Sequence, residues 1–165
     1  MRSDVSLRPL DENLLQELLA AAAADADPVE VMPPVAGPGG WTDERREAFL
    51  RFHRSRSLCA EPVESTYAVV VGETVVGAAR LFPLTDARRA VEAGVWIGRS
   101  YRGGGVGRAV LRGLVDLARA GGAERLFAST TAGNMAVRRL LAELGAEPAC
   151  DGGDEVTAWV DLADG

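Results

Sequence analysis

Arg102-Gly103-Gly104-Gly105-Val106-Gly107 is the stretch of this chain whose residue types and spacing point most directly at a ligand. It follows a strand-forming run and opens an apolar run with helical periodicity. At such a junction the N–H groups of the first helical turn converge, the helix dipole favours negative charge, and glycines let the backbone come close to an anion. A phosphate is therefore the expected ligand, with a plain strand-to-helix turn as the other reading of a bare glycine cluster. The type of phosphate site narrows by exclusion. A G-x-G-x-x-G dinucleotide pattern on Gly103 and Gly105 needs a glycine where Arg108 stands, and a P-loop needs Gly-Lys-Ser/Thr, whereas all 18 basic residues here are arginine.

The remaining reactive side chains are sparse. Cys59 and Cys150 have no His or Cys neighbour at ligand spacing and His53 is the single histidine, so no metal site is expected and both cysteines read as free, largely buried thiols. His53 follows Phe52 on an amphipathic helix, which gives it a surface or half-buried structural role. The absence of lysine excludes Schiff-base chemistry. A net charge of −6 repels nucleic acid and mildly favours cationic substrates. No apolar run reaches the length of a signal peptide or membrane span, so a cytoplasmic protein with no membrane partner is expected.

These residues need a scaffold, and 165 residues at 47% apolar content suffice for one core, giving a single domain over 1–165. Val5 to Arg8 reads as a strand. Asp11 opens a helix with Leu14, Leu15, Leu18 and Leu19 on one face. Residues 28–40 are too rich in Pro and Gly for helix or strand and read as a long loop, suited to a substrate-side lid. Thr42 caps a second helix reaching Ser57, with Trp41 anchoring its entry. Thr66 to Val71 and Thr74 to Leu84 form a hairpin about Gly72-Glu73, and a third strand spans Ala90 to Gly98. Val106, Val110, Leu111, Leu114, Val115 and Ala118 repeat at helical spacing up to the stop at Gly121-Gly122. A strand from Leu126 to Thr130, a helix from Asn134 to Leu144 and a strand from Val156 to Leu162 complete a mixed α/β chain.

Arg102, Gly105 and Gly107 form an Arg-x-x-Gly-x-Gly pattern that resembles the pyrophosphate loop of the GCN5-related N-acetyltransferase (GNAT) superfamily. VEAGVWIGRSYRGGGVGRAVLRGLVDLA looks like that family's fourth strand, loop and third helix. NMAVRRLLAELGAEP looks like its next helix, and YAVVVGETVVGAARLF is similar to its second and third strands. The resemblance implies a mixed, mostly antiparallel α/β sheet splayed between strands 4 and 5 and flanked by about four helices. It implies acetyl-coenzyme A as cosubstrate, with no metal. Backbone N–H groups of Gly103, Gly104, Gly105, Val106, Gly107 and Arg108, following Arg102, are expected on the pyrophosphate. The edge at Val95, Trp96 and Ile97 is expected along the pantetheine arm together with Asn134. Arg138 and Arg139 are candidates for the coenzyme's phosphates, at least one of them being merely solvated.

The implied reaction is acetyl transfer to a primary amine of a small molecule, aminoglycoside-like or polyamine-like; a protein or peptide amine, or a binding module without catalysis, are the alternatives. Nucleic acid is not an expected partner, and a homodimer is left open. Freeing the lone pair of an amine with a pKa near ~10.4 costs about 4.6 kcal/mol at pH 7. Glu92 stands where many members of the family carry an acidic residue, and alternation puts it on one face with Gly94 and Trp96, so it is the expected base. Glu61, Glu64 and Asp86 are the other candidates. A backbone N–H near Trp96 is the implied donor to the oxyanion. Many members place a tyrosine acid seven residues after the helix-opening Asn, a position held here by Leu141. Ser129, Thr131 or water are the substitutes, and Tyr67 and Tyr101 are the only tyrosines.

Overall fold

Capping chemistry sets where the helices begin. In the computed structural model, which describes residues 3–85, 89–146, 149–150 and 153–163, strand β1 (Val5–Pro9) leads into Asp11. The Asp11 carboxylate accepts the Leu14 N–H at 2.7 Å and starts α1 (Glu12–Asp25). Helix α2 (Pro28–Val31) follows, then α3 (Asp43–Ser57), capped by the Thr42 hydroxyl. Strands β2 (Ser65–Val71), β3 (Thr74–Pro83) and β4 (Ala90–Ile97) lead through a 3-10 turn at Arg99–Tyr101 to α4 (Val106–Ala120). Strand β5 (Arg125–Thr131), α5 (Met135–Glu143), the short β6 (Ala149–Cys150) and β7 (Glu155–Asp161) complete the order.

The seven strands form one sheet in the order β1-β2-β3-β4-β5-β7-β6, antiparallel everywhere except between β4 and β5. That parallel pair is short. Ala90, Val91 and Glu92 face Arg125, Leu126 and Phe127, and beyond them the strands part, so β4 from Ala93 to Ile97 has no described strand partner on its β5 side. The expected splay is present.

Helices cover both faces. Leu15, Leu18, Leu19 and Ala22 of α1 and Phe49 of α3 pack with Ala68, Val70, Val75 and Ala78 on one face. Val106, Val110, Leu111, Leu114, Val115 and Ala118 of α4 pack with Val69, Val76, Ala79 and Leu126 on the other, joined by Leu140 and Leu141 of α5. Each buried Val or Leu removes enough apolar surface from water to contribute about 2 kcal/mol. The two helical layers therefore hold β4 from both sides without closing the gap to β5.

Three expectations need correction. The Pro-rich segment 28–40 contains α2, because Pro28 sits at the start of the helix, where its missing N–H costs nothing, and the Glu30 carboxylate accepts the Asp27 N–H. Among the described residues the α-helices number five, in keeping with the expected four or so. The rest of that segment is tied down: the buried Arg45 guanidinium donates to the carbonyls of Val35, Gly37, Pro38 and Gly40, and the Trp41 indole donates to Ala26 at 2.9 Å. Cys59 is exposed rather than buried, lying just past the end of α3 with its thiol toward the Ser55 carbonyl; the side chain of Cys150 is not among those described. His53, expected at or near the surface, is 5% exposed, enclosed by the edges of Phe49 and Phe52.

Candidate active-site cleft

Where β4 and β5 part, a cleft of about 820 Å³ runs from the glycine loop to the α3 side of the sheet. Its volume suits a ligand of cofactor size. At one end the backbone makes the site. Gly103 and Gly105 have φ of 82° and 87°, a region that side-chain-bearing residues rarely enter. Gly105 is the N-cap of α4 and supplies no side chain to cap it. The N–H groups of Val106, Gly107 and Arg108 come ahead of the first helical bond of α4, which Ala109 donates to Gly105. The arrangement has the geometry and dipole of an anion site and fits a pyrophosphate.

Side chains around this loop do other work. The Arg102 guanidinium donates to the Ile97 carbonyl at 2.8 Å and to Glu30 at 3.2 Å, turning the side chain toward α2. Glu30 also pairs with Arg99, whose other partner is Asp27. Burial works against ionisation of Glu30, but the Asp27 N–H and the guanidiniums of Arg102 and Arg99 outweigh it and hold the carboxyl below its ordinary value. Arg108 pairs with Glu143 at 2.7 Å.

Of the residues expected at the coenzyme, Val95, Trp96, Ile97, Arg102, Gly103, Gly105, Gly107, Arg108 and Asn134 line the cleft. Three do not. Gly104 is exposed, Val106 turns its side chain into the core at 1% exposure, and Arg138 donates to the Ala132 carbonyl at 2.9 Å. Asn134 caps α5 by accepting the Val137 N–H at 3.3 Å, which leaves its amide NH2 as a donor.

The other end is made of side chains. Glu92 lines the cleft, on one face of β4 with Gly94 and Trp96, and its Oε1 accepts from Arg80 at 3.2 Å. Among the alternative carboxylates, Glu64 also lines the cleft, Glu61 does not, and Asp86 lies outside the described residues. Glu64 has a side chain only 2% exposed, balanced by Arg56 at 3.0 Å and Arg80 at 3.5 Å. His53 borders the same end, and neither ring nitrogen has a hydrogen-bond partner. Burial first and the Arg56 charge second lower its pKa to about 4, so the ring is neutral at pH 7.

Arg80 was missed on sequence. It stands in β3 between Ala79 and Leu81, opposite Gly94 in the register, and the lone charge in an otherwise apolar strand was the one signal in the sequence. Leu141 is wholly buried in the core, so the tyrosine position of the family pattern is filled by packing. Ser129 lines the cleft and Thr131 does not, while Tyr67 and Tyr101 pack against the core.

Solved structures share this architecture. A spermidine/spermine N-acetyltransferase, SpeG, from Vibrio cholerae superposes with a TM-score of 0.68 at 14% identity, covering 99% of this chain and 96% of that one. RimJ of Mycobacterium smegmatis, in complex with CoA-disulfide, gives 0.69 at 20%, covering 97% and 83%. The putative acetyltransferase yncA of Salmonella typhimurium, with its cofactor acetyl-CoA, gives 0.64 at 19%, covering 97% and 95%. At these identities the likeness is one of fold, and none of the curated proteins matches the sequence. The family profile described as the acetyltransferase (GNAT) domain matches residues 4–147, and with the splayed sheet and glycine loop in that order the chain belongs to the GNAT acetyltransferase family.

Proposed function

We propose that this protein transfers an acetyl group from acetyl-coenzyme A to a primary amine of a small molecule by direct attack, with Glu92 taking the amine's proton. The observation that carries this reading is the continuity of one cleft from the glycine loop, past the open edge of β4, to the Glu92 carboxylate. The pyrophosphate lies on the N–H groups of Gly103 to Arg108, and the pantetheine arm runs along Val95 to Ile97 beside Asn134. That arm passes the partly exposed Val95 side chain, an apolar surface suited to it. Two fold neighbours, RimJ and yncA, hold forms of the same coenzyme.

Arg80 holds Oε1 of Glu92 and leaves the second carboxylate oxygen for an ammonium N–H. Once the amine is neutral, its lone pair attacks the thioester carbonyl, and a backbone N–H near Trp96 stabilises the oxyanion. With Leu141 in the core, the thiolate takes its proton from water, with Ser129, which lines the cleft, as a relay. A thiol pKa near ~8.5 makes the free thiolate only about 2 kcal/mol unfavourable at pH 7, so a strong acid is not required.

The test combines calorimetric binding of acetyl-coenzyme A with thiol release across a panel of amino acids, polyamines, aminoglycosides and peptides. Amine-dependent thiol release by the coenzyme-binding protein is the expected result. Tight coenzyme binding with no release stimulated by any member would identify a binding module instead.

A further inference from the structure

Arg80 is built into the acceptor end of the cleft with unusual care. Its neighbour across β4 is Gly94, and a Cβ there would lie 2.8 Å from Arg80 Nε and 3.0 Å from its Cγ, so the missing side chain is what lets the arginine lie across the strand. The guanidinium approaches the Phe82 ring with its centre 6.0 Å from the centroid. Arg56 stands beside it, 5.5 Å from the rings of both Phe52 and Phe82.

The charges around Arg80 do not balance through the reaction. Glu64 is held chiefly by Arg56, at 3.0 Å, with Arg80 farther away at 3.5 Å. The close partner of Arg80 is Glu92, at 3.2 Å. At rest two guanidiniums face two carboxylates and the neutral His53. When an ammonium R–NH3+ passes a proton to Glu92, that carboxylate becomes a neutral acid and the cluster is left with one excess positive charge. The amine nitrogen then forms a C–N bond as the C–S bond breaks, the electron pair leaves on sulfur, and the second amine proton ends on the thiol. Once Glu92 is neutral, the 36% exposed side chain of Arg80 borders the cleft with Glu64, which it shares with the closer Arg56, as its remaining charged partner. A polyamine would add further positive charge beside it. An acceptor that brings a carboxylate restores the balance, and arginine is suited to bind one through two parallel N–H donors.

We propose that the acceptor is an amino-acid-like molecule, an amine carrying a nearby carboxylate, and that Arg80 receives that carboxylate while Glu92 receives the amine's proton. This rests on the acetyl-transfer reading above and narrows its substrate class.

The experiment compares amino acids, the same compounds with the carboxylate blocked as an amide, and polyamines, in two separate measurements on the full chain saturated with acetyl-coenzyme A: equilibrium binding and thiol release. The free carboxylate is expected to improve kcat/KM by about 10- to 100-fold over the amide, the range of a charge-assisted hydrogen-bonded pair. Arg80→Gln is expected to erase that difference by raising KM further for the carboxylate form, whereas any loss from freeing Glu92 falls on both forms alike. If Arg80→Gln does not fold, Gly94→Ala, which displaces the side chain of Arg80 rather than backbone, carries the same readout. Equal or better use of amides or polyamines, or an equal loss on both forms in the variant, overturns the proposal. Preferential binding of the carboxylate form without thiol release sustains it and sinks acetyl transfer instead.

Discussion

The two ends of the cleft are made of different material. The end proposed for the coenzyme is backbone, concentrated in residues 102–108, where two glycines with positive φ turn the chain into the N-terminus of α4. The end proposed for the acceptor is side chain: His53 and Arg56 come from α3, Glu64 from the segment before β2, Arg80 from β3 and Glu92 from β4. A backbone site needs only a short run of permissive residues and tolerates change around it. A side-chain site depends on strand register and on which neighbours leave room. The two ends therefore respond separately to substitution.

The largest separation is expected from Gly105→Asp. A non-glycine residue at this φ costs about 1–2 kcal/mol, and a carboxylate about 4 Å from pyrophosphate adds about 4 kcal/mol of repulsion at an effective dielectric near 20. Coenzyme affinity measured by calorimetry should fall by roughly 10³-fold. The acceptor KM, measured at coenzyme concentrations that still saturate, should stay where it was. Unchanged coenzyme affinity would remove the loop from the site.

His53 distinguishes the ends through stability. Its folded pKa of about 4 lies below the ordinary 6.5, so between these values the unfolded chain binds a proton that the folded chain refuses. The stability tied to the neutral ring is complete above pH 6.5 and disappears as pH falls toward 4, a loss of about 3 kcal/mol. Glu30, at the coenzyme end, is also lowered, and its contribution is lost only further down, in the carboxylate range. Urea midpoints measured from pH 7 to 4 should show the loss in the native protein and a flatter profile in His53→Leu. A variant that follows the native curve would assign the acid sensitivity elsewhere.

What could be read from the sequence divides along the same line. Asp11, Thr42 and Asn134 cap their helices as expected because a cap is a local hydrogen bond to a backbone N–H three residues on. The glycine loop was readable for the same reason, and the hairpin about Gly72-Glu73 rests on adjacent residues. Pro28 misled because proline breaks a helix interior but suits its first turn, and only Glu30 folding back on Asp27 decides between the two. The burial of His53 was hidden because it depends on Phe49 and Phe52 closing around the ring. Arg80 was hidden most completely: its partners Glu64 and Glu92 are brought to it only by the β2-β3-β4 register, which no local pattern states.

Glu92→Gln sharpens the comparison within the acceptor end. Loss of the proposed general base should lower turnover by about 10²-fold at neutral pH, and the deficit should shrink as rising pH populates the free amine. Coenzyme affinity should not change, because Glu92 stands at the far end of the cleft from the loop. A deficit independent of pH would make Glu92 a binding group for the ammonium, leaving proton removal to solvent.

Gly94→Ala is the smallest of these changes and the most discriminating. The added methyl meets Arg80 Nε at 2.8 Å and Cγ at 3.0 Å, and these atoms belong to a side chain that can swing aside, so the fold should survive with little change in Tm. Displacing the guanidinium loosens its hold on Glu92, and the acceptor KM should rise by about 10-fold, equivalent to about 1.4 kcal/mol. Gly94 is also part of the β4 segment whose open edge faces the coenzyme side. If the methyl weakened coenzyme binding as much as acceptor binding, strand β4 would be transmitting the disturbance along its backbone, and the two ends would be one mechanical unit. A rise confined to the acceptor shows that the sheet holds the backbone site rigid while the side-chain site shifts beside it.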